Sequence, residues 1–186
     1  MRAVVALLVL AAAAAAADEV VVTKAYVPSS NRRVGEVRIV RRGDAAVIQT
    51  LLYTSLLRRA IGAIHDKEDA NWPAGRAGHD DARRYLAALD AQAARVLAAP
   101  APDDRRRRLL IEFVLDGARA EVVVGDFDMA GGPDDLRVTA RRPVETLALS
   151  RDYVRRNMQL IVADAFDLPL GEIGAVLGPL APALAP

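Results

Sequence analysis

Two histidines, His65 and His79, are the chain's only imidazoles, and both lie among carboxylates. Asp69 follows His65 at the i+4 position of a helical segment, so the two share a face and are able to bind one metal ion. His79 directly precedes Asp80 and Asp81, across the loop Pro73 to Gly78. If that loop folds back, both histidines meet in a carboxylate-rich site fit for a small hydrolase or metal-dependent enzyme. No recognised zinc spacing is present, and helix-boundary and surface positions account for the same residues.

Asp126-Phe127-Asp128, followed by Gly131-Gly132 and Asp134-Asp135, reads as an acidic, glycine-containing loop. Hard cations such as calcium take several oxygens around a tight turn. Here Ala130 stands at the third expected ligand position of an EF-hand loop, and no bidentate glutamate follows. An ordinary inter-strand turn is the simpler expectation for Asp126 and Asp128.

Glu112 and Glu121 flank the dipeptide Asp116-Gly117. With a two-residue turn the two glutamates face each other across a hairpin, with Cβ atoms about 5 Å apart. Carboxylates that close split their pKa values and are suited to acid–base work. Arg119, a diagonal neighbour, is equally placed to neutralise them. Trp72, the only tryptophan, ends a helix before Pro73, where it either covers the core or anchors a ligand or partner.

The usual nucleophile and nucleotide signatures are missing. There is no G-x-S-x-G, G-x-G-x-x-G, P-loop or H-E-x-x-H. Serines fall in turns and helix caps, and no cofactor motif is present. The absence of cysteine removes disulfides, thiolate metal sites, cysteine nucleophiles and the acylation site of a bacterial lipoprotein.

The elements that would position these residues follow from hydrophobic period. Glu19 to Val27, Val34 to Val40 and Ala46 to Tyr53 read as three antiparallel strands, with a turn at Arg42-Gly43-Asp44. Leu56, Leu57, Ala60, Ile61 and Ile64 then form a helical stripe, predicting a helix over Ser55 to Asn71. A second helix is expected from Asp80 to Ala99, capped by Asp80 or Asp81. Leu109 to Leu115 and Ala118 to Val124 form a hairpin with a type I′ turn at Asp116-Gly117. Gly125 to Asp135 is a loop, and Leu136 to Leu149 a long strand in which Pro143 marks a bulge or edge. Ser150 caps a helix from Arg151 to Phe166 with Val154, Met158, Ile161, Val162 and Ala165 inward. Residues 168–186 form an apolar tail rich in proline and glycine, which either docks on the body or presents Ile173, Val176 and Leu177 to a partner.

Two strand runs, each followed by helical cover, predict an α+β fold. It has an antiparallel sheet of about six strands, with three main helices packed mainly on one face. At 186 residues the chain is sized for a single domain, spanning 18–186 after a leader. That leader is Met1-Arg2, the apolar run Ala3 to Leu10 and alanines to Ala17, with Asp18-Glu19 beyond. It has the layout of a signal peptide cleaved after Ala17. The run is shorter than the roughly 20 residues of a membrane span, so a periplasmic or secreted protein with no transmembrane segment in its mature chain is expected.

The net charge of +1 from 25 basic and 24 acidic residues gives no global field for nucleic acid or anionic lipid. Nearly all of the positive charge is arginine, and a face formed from its clusters would suit a structural or regulatory interaction protein. The favoured reading is a non-enzymatic binding module for an apolar small molecule or an envelope partner, because a partly covered sheet leaves room for a pocket.

Overall fold

The structure, a computed structural model, describes residues 19–26, 35–98, 107–130, 137–141 and 145–174. The expected leader, the segment Gly131 to Asp135 and the tail beyond Gly174, including Val176 and Leu177, lie outside the described residues.

The fold is α+β. Strands β1 (Glu19–Tyr26), β2 (Gly35–Arg42) and β3 (Ala45–Tyr53) precede helices α1 (Leu57–Asn71) and α2 (His79–Ala98). Strands β4 (Arg107–Leu115), β5 (Ala120–Ala130), β6 (Arg137–Arg141) and β7 (Glu145–Ala148) then lead to α3 (Arg151–Phe166). All described pairings are antiparallel, and the sheet order is β1-β2-β3-β4-β5-β6, with β7 also on β5.

The seven strands, against about six expected, arise from one interruption. Phe127 pairs with Arg141 in β6, and Val124 pairs with Glu145 in β7, one residue out of a continuous register. Thus β6 and β7 both pair with β5, and the expected bulge or edge at Pro143 lies outside the described residues.

The β4–β5 hairpin differs from the expected type I′ turn. Its loop has four residues, Asp116 to Arg119, with Leu115 opposite Ala120. Gly117 does not adopt the positive φ that a type I′ turn requires. The Asp116 carboxylate instead accepts hydrogen bonds from the backbone N–H of Ala118 at 2.8 Å and of Arg119 at 2.6 Å, and from Arg119 Nε at 2.6 Å. A short acidic side chain has thus set the loop by bonding its own backbone. The two-residue shift leaves the facing pattern intact, because side chains alternate with period two.

One sheet face builds the main core. Val37, Ile39, Ile48, Leu52, Ile111, Phe113, Val122 and Val124 pack against Leu57 and Ile64 of α1, Leu86 and Leu89 of α2, and Val154 and Met158 of α3. The opposite face holds Val40, Ala45, Val47 and Val114, a smaller cluster without helix residues. With few aromatic side chains, the core relies on branched aliphatics, and the Tyr85–Phe113 edge contact at 5.4 Å lies near its centre. Ile173 is buried in this core, so the first part of the tail docks.

α2 begins at His79, one residue earlier than expected, and the Gly78 carbonyl accepts from Ala82 N–H at 2.9 Å. Asp80 and Asp81 therefore lie inside the first turn, where negative charge opposes the helix dipole favourably. Asp81 also accepts the Ser150 backbone N–H at 3.1 Å, tying α2 to the start of α3. Among the described residues no helix is long and apolar enough to cross a membrane.

Candidate functional site

A cavity of about 390 Å³ lies between α1, α3 and the helix-covered sheet face. Its sheet wall is Thr50 of β3 with Ile111 and Phe113 of β4, and Tyr85 of α2 also reaches it. Ile64, Lys67, Glu68 and Asn71 come from α1, and Asn157, Leu160, Ile161 and Asp164 from α3. Thr50, Glu68, Tyr85, Ile111, Phe113 and Asn157 are buried, whereas Asp164, Asp167 and Leu170 are exposed. The cavity therefore has a deep end and a mouth. At the mouth Lys67 Nζ pairs with Asp164, joining α1 to α3.

The deep end is polar. Tyr153, fully inside the core, donates its hydroxyl to Glu68 Oε2 at 2.7 Å. Glu68 is only 6% exposed, and burial lifts its carboxyl from 4.5 to about 7. The Tyr153 hydrogen bond and the charges of Arg83 and His65 pull the other way, and Asp69 adds to the rise. Tyr153 is itself pushed well above the ordinary phenol value, first by burial and then by the Glu68 charge. The Asn157 amide approaches the Tyr153 hydroxyl and opposes that rise, though outside ideal hydrogen-bond geometry, and Thr50 Oγ1 has no partner. Chemically, the arrangement offers a carboxyl balanced between protonation states near neutral pH and two incompletely satisfied polar groups in an apolar chamber.

The residues singled out from sequence fall elsewhere. His65 Nε2 is 2.9 Å from Asp90 Oδ1 on α2, and His79 Nδ1 donates to the Trp72 carbonyl at 2.9 Å. Asp69 pairs with Arg83. Each thus has its own separate partner. Among the described residues, no group of three or more His, Asp or Glu is arranged to hold a metal ion.

Asp126 and Asp128 are not in a loop, because β5 continues through both, opposite Leu109 and Arg107. Strand pairing along β4 satisfies more backbone groups than a turn at Gly125 would.

Glu112 and Glu121 do not face each other. Glu112 pairs with Val123, and Glu121 with Val114. Glu112 is 1% exposed and accepts Gln49 Nε2 at 2.7 Å and Arg42 NH2 at 3.0 Å, whereas Glu121 is only partly buried and lies 3.9 Å from Arg119. The four-residue loop, not the two-residue one, separates them. On the same face Glu36 takes hydrogen bonds from Arg38 at 3.5 Å and from Tyr53 at 3.1 Å, so Arg38 and Arg42 are engaged within the fold.

Trp72 is 5% exposed and is not on the cavity wall. Its ring lies 5.0 Å from the Tyr153 ring and 5.1 Å from the Arg76 guanidinium. Gly78, at φ +95°, touches it so closely that a Cβ there would sit 2.7 Å from ring carbons. The loop after α1 is folded around this indole, which in turn backs Tyr153.

Sequence reasoning missed Glu68, Tyr153, Asn157 and Thr50. A signal was present for the first three. Glu68 continues the stripe Ala60–Ile64 at i+4, and Tyr153 and Asn157 are four apart beside Val154 and Met158 on the buried side of α3. Polar residues on an apolar stripe mark buried polar positions. Comparison with protein-family models, curated proteins and solved structures finds no match to this chain.

Proposed function

We propose that this protein is an exported, non-enzymatic binding module that holds a small, largely apolar molecule in the cavity between α1, α3 and the sheet. The observation that carries this reading is the cavity itself. Its volume of about 390 Å³ lies within the range of small-molecule sites. Its wall has the usual composition of such sites, with Ile64, Ile111, Phe113, Leu160 and Ile161 giving apolar area and a few polar groups at one end. The leader-like residues Met1 to Ala17 support export, which predicts that the protein recovered from the cell envelope begins at Asp18.

The test is native mass spectrometry of protein recovered under gentle conditions, with uptake of an apolar fluorescent probe such as N-phenylnaphthylamine. The wild-type chain is expected to carry an adduct or take up the probe, and the adduct should leave in competition. Ile161→Phe, which adds volume to the cavity wall, is expected to cut uptake by about tenfold or more while costing only about 1–3 kcal/mol of stability. Equal uptake by the wild type and the filled variant, or none by either, refutes the reading.

A further inference from the structure

We propose that the occupant of this cavity is an amphiphile with an uncharged carbonyl head, seated head-first on Asn157 and Thr50; this rests on the small-molecule reading above and adds the chemistry of the head. Asn157 Nδ2 and Thr50 Oγ1 are buried, both residues being 3% exposed; Thr50 Oγ1 has no hydrogen-bond partner, and the approach of Asn157 to the Tyr153 hydroxyl uses at most one of its two amide hydrogens. Leaving a buried polar group unpaired costs more than a typical hydrogen bond contributes. Two such groups, from α3 and β3, on the wall of one cavity describe a half-site that a ligand completes.

The identity of the orphans selects the ligand. An amide N–H only donates, and a hydroxyl donates or accepts. A carbonyl oxygen has two lone pairs and is able to accept from both. The other polar groups nearby are already committed: Tyr153 donates to Glu68, Asn71 Nδ2 donates to the Lys67 carbonyl at 2.8 Å, and Lys67 Nζ pairs with Asp164. An ammonium head would leave Asn157 Nδ2 unpaired. A carboxylate head would enter a chamber that already holds Glu68, Asp164 and Asp167, where like charges and desolvation both oppose it. An ester or a ketone meets neither obstacle, and unlike an alcohol, an acid or an amide it brings no donor of its own for the committed neighbours to leave unpaired. Because Asn157, Thr50 and Glu68 are at the buried end, the chain of the ligand runs outward past Ile161, Leu160 and Leu168 toward the exposed Leu170.

The experiment compares methyl decanoate, decanol and decylamine as competitors of the fluorescent probe at neutral pH, on the full chain and on Asn157→Leu. Methyl decanoate, which accepts but does not donate, is expected to bind the wild type about tenfold more tightly than it binds Asn157→Leu, the worth of one well-made hydrogen bond. The affinity of the apolar probe itself should stay within about twofold between the two proteins. Thr50→Val provides the same comparison if Asn157→Leu does not fold. Equal binding of methyl decanoate by the wild type and both variants, tighter binding of decanol than of methyl decanoate, or tightest binding by decylamine overturns the head-group assignment alone. Failure of the wild type to bind any of the three, or the probe, overturns the small-molecule reading with it.

Discussion

Replacing Glu68 by glutamine removes a buried carboxyl but keeps an oxygen that can accept the Tyr153 hydroxyl, so the change isolates the cost of burying its charge. The native carboxyl titrates at about 7, against an ordinary 4.5. The folded state therefore retains a proton that the unfolded chain releases between those values. Below pH 4.5 both states are protonated and the burial carries no charge penalty. As pH rises through the interval the native state loses stability, and above about pH 7 the loss is complete. At about 1.4 kcal/mol for each tenfold change in proton affinity, the full effect is about 3 kcal/mol, a large fraction of the stability of a typical domain. Urea unfolding from pH 4.5 to 8, followed by Trp72 fluorescence, measures it directly. E68Q and wild type should be nearly equally stable at pH 4.5, and E68Q should lead by up to about 3 kcal/mol at pH 8. The Tyr153 hydrogen bond and the charges of Arg83, Asp69 and His65, the groups that face Glu68, are already contained in the position of its carboxyl at about 7. Parallel stability curves across the range, or an E68Q protein less stable at pH 8, would refute the reasoning.

Three further substitutions probe the frame around the cavity. E112A leaves Arg42 and Gln49 without their buried acceptor and should cost about 3 kcal/mol, whereas E121A, on a partly exposed side chain, should stay within about 0.5 kcal/mol; equal losses in denaturant titrations would contradict the observed register. G78A combines a φ of +95° with a contact to the Trp72 ring and should destabilise by about 1–3 kcal/mol, with a shift in tryptophan emission as the ring is displaced. D116A should cost about 1 kcal/mol at neutral pH through loss of the loop hydrogen bonds. Those bonds, led by the Arg119 and Ala118 backbone amides, hold the Asp116 carboxyl down at about 2 against 3.8. The wild-type advantage is thus fully present above pH 3.8 and should disappear as pH falls through about 2, as seen in acid titrations of the pair.

Much of the fold was legible in the order of residues because it is set by local rules. Period 2 followed by period 3.6 marked the strands and α1, the Arg42-Gly43-Asp44 turn joined β2 to β3, and α3 runs from Arg151 to Phe166 as its stripe predicts. Apolar alternation along β4 and β5 marked the strand face that meets the helices. What the order of residues left open was pairing at a distance. Whether the turn at Asp116 spans two residues or four changes no local propensity, yet it separates Glu112 from Glu121, and the competition between the Asp116 carboxylate and a glycine turn decided it. The acidic run Asp126–Asp128 likewise looks like a loop until β4 is laid beside it. The cavity is wholly a product of tertiary packing. Glu68, Thr50 and Asn157 are 18 residues or more apart in sequence, and only the seating of α1 and α3 on the sheet brings them to one wall. A side chain's burial depends on neighbours that the local sequence does not contain, and burial is what turns an ordinary glutamate, threonine and asparagine into a site.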